Sequence, residues 1–170
     1  MAKRIHSTAC DNLTLMQLSE VYLALGESGF GQLIQSISIG KLKTYQLYDA
    51  FKASAHLTKL NTESLHKHIP RFWERLGGHD EQFAKDLAQT VLVSHLDMIV
   101  AVLDLLGVPH EGGFFNKDLN AKSYLTEGWA ERVFEKFRAV YSEPVLLFYI
   151  NHLSWELTDL AEPFKPASAV

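Results

Sequence analysis

The chain has 170 residues, a net charge of −4 and an isoelectric point near 6.0. That length suits one domain able to bury roughly 70% of the surface its unfolded chain exposes. The single Cys10 excludes an internal disulfide, so stability must come from the core.

Lys3 and Arg4 are followed by IHSTACDNLT rather than an apolar run. A secretory leader is not expected, and a cytoplasmic location is. The first predicted helix covers 13–25, with Asp11 or Asn12 as cap, because a short side-chain oxygen accepts from the free N–H groups of a first turn. GESGFG at 26–31 is expected to break it. A second helix is predicted over 32–38, and Gly40 separates it from a third over 42–60. There Tyr45, Tyr48, Phe51 or Lys52, and Ala55 recur at spacings of three and four.

Asn61 and Thr62 offer the next cap. Pro70 is best placed in the first turn of a short helix over 69–76, where its missing N–H costs nothing. Asp80 caps the longest predicted helix, 80–106, with Glu81 at the positive end of the dipole. Its 91–108 stretch is almost wholly apolar but contains His95, Asp97 and Asp104. Each Asp would cost about 2.5–3.5 kcal/mol at a bilayer centre, so the stretch reads as a buried helix of a soluble protein, not a membrane span. Ser94, Asp97, Ala101 and Asp104 form one narrow polar strip on it.

LLGVPHEGGFFNKD, 105–118, then interrupts the pattern. Gly107 ends the helix, Pro109 prevents its continuation, and Gly112 and Gly113 permit a reversal. One reading makes Phe114 and Phe115 a plug folded onto the core. The other makes the loop a lid, with the phenylalanines as gate and His110 as polar contact. A helix follows over 122–141, with Trp129, Val133, Phe137 and Val140 as its inner face and Gly128 weakening its start. The last helix opens at Ser142 and Pro144 and runs to 160. An irregular tail with two prolines occupies 161–170. The expected fold is an all-α, single-domain bundle of six or seven helices with a long, mostly buried central helix.

Residues 41–75 carry seven Lys or Arg against three acids, which leaves them at +4 and the remainder at −8. A solvated helix face accounts for these lysines, and an anion-attracting patch is the alternative. Nucleic-acid binding is not expected of an acidic chain.

Several catalytic patterns fail on spacing. A di-iron bundle needs two Glu-x-x-His pairs, and only Glu63–His66 exists. His79–Asp80 follows two glycines and reads as a helix start, not as the metal-binding dipeptide that ends an apolar helix. IGKLKT lacks the upstream glycine and the Ser or Thr of a phosphate loop. GESGFG follows no strand, and no G-x-S-x-G is present. No cofactor is implied.

What remains is an excess of apolar surface. The central and last helices look apolar on most sides, and aromatic residues gather around them. Such a surplus fills a core, lines a cavity or forms a dimer seam. The leading expectation is a small binding protein for an apolar or lipid-like ligand. The candidate contacts are His95, Met98, His110, Phe114, Phe115, Trp129, Phe148, Tyr149 and His152. A homodimeric regulatory or interaction protein without a small ligand is the second expectation. The third is a metal-dependent enzyme using His95, His152 and Glu156, because His152 and Glu156 share a helix face at i, i+4.

Overall fold

The computed structural model describes residues 16–47, 61–116, 119–120, 123–157 and 162–166. The fold is all-α, with nine helices and no strand among the described residues. Contacts group the chain into two compact units, Gln17–Leu96 and Met1–Met16 with Asp97–Val170. No single helix among the described residues is long and apolar enough to cross a membrane.

The first unit holds α1 (Leu18–Leu23), α2 (Gly26–Gln35), α3 (Ile39–Thr44), α4 (Thr62–Lys67), α5 (Ile69–Gly77) and α6 (Glu81–Val93). GESGFG separates α1 from α2 as expected, but the rest of it is helical and opens α2. Gly26, at φ +74°, makes the turn between α1 and α2. The helix persists because Phe30, Leu33 and Ile34 are fully buried on one face. Burying three such side chains at about 1.5–3 kcal/mol each outweighs the roughly 1 kcal/mol a helical glycine costs.

The helix expected over 42–60 differs as well. α3 begins earlier, capped by the Ser38 hydroxyl, which accepts from Lys41 N–H at 3.2 Å. It ends at Thr44, and Gln46 takes a left-handed φ of +54°. The remainder of that expectation, with Tyr48, Lys52 and Ala55, lies outside the described residues, as do the Asp11 and Asn12 caps. Asn61 caps α4 by accepting from Ser64 N–H at 2.8 Å, and Pro70 sits in the first turn of α5.

The core of this unit is aromatic. Tyr22 meets Phe30 edge-on at 5.9 Å, Phe30 lies 5.4 Å from Trp73, and Phe72 lies 5.3 Å from Phe83. Asp80 caps α6 by accepting from Phe83 N–H at 3.1 Å. Its second oxygen accepts from Arg75 Nε at 3.0 Å and Nη2 at 2.8 Å, and these bonds hold the carboxyl below the usual range. The guanidinium also stacks over Phe83, 4.0 Å from the ring centre.

The single long central helix is not found. α6 stops at Val93, and α7 (Leu96–Leu106) starts after Ser94 and His95. The break has a tertiary cause. Ser94 Oγ donates to Thr90 O at 2.8 Å and accepts from Ser38 N–H at 3.0 Å. A serine bonded back to the carbonyl four residues earlier bends a helix, and here a distant backbone group fixes the bend.

The second unit contains α7 from Asp97 onward, α8 (Trp129–Phe137) and α9 (Glu143–Leu157). α7 closes with paired bonds from Gly107 N–H to Asp104 O (3.2 Å) and from Val108 N–H to Leu103 O (3.0 Å), with Gly107 at φ +74°. This is a Schellman motif, and its apolar members Leu103 and Val108 are both buried. α8 is shorter than the predicted 122–141. Gly128, in the left-handed region at φ +75°, is its N-cap residue, and Val140 is 67% exposed rather than on an inner face. The stretch 162–166 has no regular secondary structure but is anchored. Asn151 Oδ1 accepts from Phe164 N–H at 2.6 Å, and the rings of Phe134 and Phe164 meet at 6.3 Å.

Candidate functional site

α9 is the helix on which polar groups and burial coincide. Val145, Leu146 and every residue from Phe148 to Ser154 are buried, so no side of its middle is wet. Four of these residues are polar: Tyr149, Asn151, His152 and Ser154. Buried polar groups are almost always hydrogen-bonded, so each demands a partner. Asn151 is well satisfied, since its Nδ2 also donates to Leu147 O at 3.1 Å and to Phe164 O at 3.4 Å. Ser154 also has a partner.

Tyr149 is the exception. It is 3% exposed, and its hydroxyl has no hydrogen-bond partner among the described residues. Burial first, and then the negative charge of Glu156, push its ionisation well above the ordinary tyrosine value. The hydroxyl therefore stays protonated, an O–H donor with no acceptor among the described residues. An orphaned hydroxyl of this kind costs about 1–3 kcal/mol unless something completes it.

One turn on, the His152 ring lies tilted between Phe148, at 5.7 Å, and Trp155, at 6.0 Å. The three recur at i, i+4 and i+7 and form one ladder of rings along the helix. Burial lowers the His152 pKa to about 4, so the ring is neutral at pH 7.

The other candidates fall into separate places. His110, Phe114 and Phe115 share a tight hairpin turn. Glu111 N–H donates to Phe114 O at 2.7 Å and Phe114 N–H to Glu111 O at 3.1 Å, while Gly112 and Gly113 take φ of +61° and +98°. Two positive φ values at the centre of a two-residue turn are what glycine alone adopts freely. His110 braces this turn. Its Nδ1 accepts from Gly113 N–H at 3.1 Å, so the proton sits on Nε2, which donates to Asp104 Oδ1 at 2.7 Å. Both ring nitrogens are thus committed to the loop. Phe114 is 56% exposed and Phe115 half-buried, so Phe114 is not a plug folded onto the core. Met98 is buried on α7, and Trp129 is half-buried at the start of α8.

His95 belongs to the first unit. Its Nε2 lies 2.8 Å from Ser36 Oγ, whose own proton goes to Leu33 O, so His95 Nε2–H is the donor. Burial lowers its pKa. No group of three or more His, Cys, Asp or Glu side chains among the described residues could hold a metal ion. Glu156 is exposed.

One cluster escaped the sequence reading. Glu81 accepts from Leu18 N–H at 3.0 Å, Ser19 N–H at 3.2 Å and the Ser19 hydroxyl, and His79 Nδ1 lies 3.1 Å from that hydroxyl. Serine, histidine and a carboxylate in contact invite a comparison with a nucleophilic triad. The proton arrangement opposes it. The serine proton goes to Glu81, so His79 donates rather than accepts, and Ser19 is fully buried. Glu81 instead satisfies the free N–H groups at the start of α1 from 62 and 63 residues away. His79, a non-glycine residue at φ +57°, is held in the left-handed region beside it. In the same unit His66 Nε2 is a second buried polar atom without a partner among the described residues.

No family model, no curated protein and no solved structure matches the chain. The site is therefore read from its own chemistry.

Proposed function

We propose that the protein is a binding module for a small, largely apolar molecule, held in the second unit against α9. One observation carries this reading: the Tyr149 hydroxyl, buried and protonated, without a hydrogen-bond partner among the described residues. Ligand sites are mostly apolar surfaces with a few placed polar groups that fix orientation. α9 supplies both, a long apolar surface and, in the Tyr149 hydroxyl, a buried donor without a partner among the described residues. Neutral His152 and the rings of Phe148 and Trp155 lie on the adjoining face and add apolar area rather than charge.

The test is native mass spectrometry of the protein purified without added ligand. A monomer heavier than its chain by the mass of one small organic molecule is the expected result. A bare monomer that also takes up nothing from an apolar extract would refute the reading.

A second reading has its own observation. Phe114 stands 56% exposed on a turn braced by His110, and Leu105 is 44% exposed. A rigid turn displaying an aromatic side chain suits contact with another protein. Phe114→Ser would weaken that contact and leave ligand uptake unchanged.

A further inference from the structure

The charges around α9 say more about the molecule that would complete Tyr149. α9 contains no Lys or Arg and carries Glu143 and Glu156, and α8, which contacts it, carries Arg132 and Lys136 and ends at Arg138. Two described arginines of the second unit are already engaged. Arg132 donates to Glu127 O at 2.8 Å and to Thr126 Oγ1 at 2.9 Å, and Arg138 pairs with Glu135 at 3.3 Å. Glu156 is near enough to act on the Tyr149 hydroxyl by charge alone.

A carboxylate or phosphate arriving at that hydroxyl would meet one donor and, in Glu156, a like charge. Burying an anion on such terms is strongly unfavourable. An ammonium fares no better. It would lose its hydration at a position 3% exposed, and the one acid acting there, Glu156, is exposed and already has a partner. His152, one turn from Tyr149, is neutral and offers a cation no counter-charge. What suits the position is a neutral group that accepts one hydrogen bond. A phenol donates more readily than it accepts, because its lone pair is drawn into the ring.

We infer that the group held at the Tyr149 hydroxyl is the uncharged acceptor oxygen of an otherwise apolar molecule, such as a ketone or an ester, and not a carboxylate or an ammonium. This rests on the binding reading above and narrows its ligand class.

The experiment compares three probes of one chain length, 2-octanone, octanoate and octylammonium, by isothermal titration calorimetry on the wild-type protein and Tyr149→Phe. The ketone is expected to bind at least about tenfold more tightly than either ion. It is expected to lose about tenfold in the variant, the effect of one hydrogen bond. In the wild type the Tyr149 ring resonances should shift as the ketone is added, a readout that does not depend on how the variant folds. Octanoate or octylammonium binding as tightly as the ketone would overturn the inference and leave the binding reading standing. Equal ketone affinity in a folded variant, or a Tyr149 ring that does not respond, would overturn it too. If none of the three binds, both the inference and the reading beneath it fail.

Discussion

His152 should make the stability of the second unit depend on pH in a defined direction. Burial holds its folded pKa at about 4, against the ordinary value of 6.5. Between those values the unfolded chain binds a proton that the folded chain does not, so acid favours unfolding. The stabilisation is fully present above 6.5, falls as the pH drops, and is gone near 4. At about 1.4 kcal/mol per pH unit the whole effect is about 3 kcal/mol, and about 2 kcal/mol of it is lost by about pH 5. His152→Phe keeps a ring for Phe148 and Trp155 to pack on but cannot titrate. Urea unfolding followed by tryptophan fluorescence, at about pH 7.5 and about pH 5, gives the comparison. Between the two conditions the wild type should lose about 2 kcal/mol more than the variant does. His95, whose pKa burial also lowers, acts in the same sense but is present in both proteins and cancels. Equal losses would show that the His152 ring accepts a proton in place, and the argument from its burial would be wrong.

Glu81→Ala orphans two N–H groups and the fully buried Ser19 hydroxyl. It should destabilise the first unit by about 2–4 kcal/mol, read as a lower urea midpoint at unchanged slope; a loss under about 0.5 kcal/mol would mean the carboxylate is not the cap. Asn151→Leu removes the two described hydrogen bonds that pin Phe164. Limited proteolysis should then cut near 162–166 much faster than in the wild type, and an unchanged rate would contradict the anchoring role. Gly113→Val places a β-branched residue at φ +98°, so amide exchange at Phe114 and Glu111 should quicken by tenfold or more. Unaltered protection would mean the turn does not depend on glycine.

The sequence discloses the local decisions and conceals the distant ones. Asn61, Pro70, Asp80 and Gly107 each act where their chemistry places them, at helix ends, because capping and termination are settled within a few residues. The burial of α9 is also legible, since a run without a polar face has to be covered. The break of the central helix is not. It depends on Ser38 meeting Ser94 across 56 residues, and nothing in the 80–106 pattern announces that partner. GESGFG misleads only beyond Gly26, which does make the turn: Phe30, Leu33 and Ile34 bury a helical face strong enough to override the later glycines. The Glu81 cap is hidden by the same kind of distance. For the candidate site, the sequence marks Tyr149 and His152 as polar groups on an apolar helix. That Asn151 is satisfied depends on where the chain near Phe164 returns, which no periodicity encodes.

The orphaned hydroxyl is the centre of the account, and the most direct test is to remove it. Native mass spectra of wild-type protein and Tyr149→Phe, expressed and purified side by side, compare how much of each carries a bound molecule. The account predicts a small organic adduct on the wild type, with occupancy reduced severalfold or more in the folded variant. Bare chains in both, or the same adduct at the same occupancy in both, would contradict it.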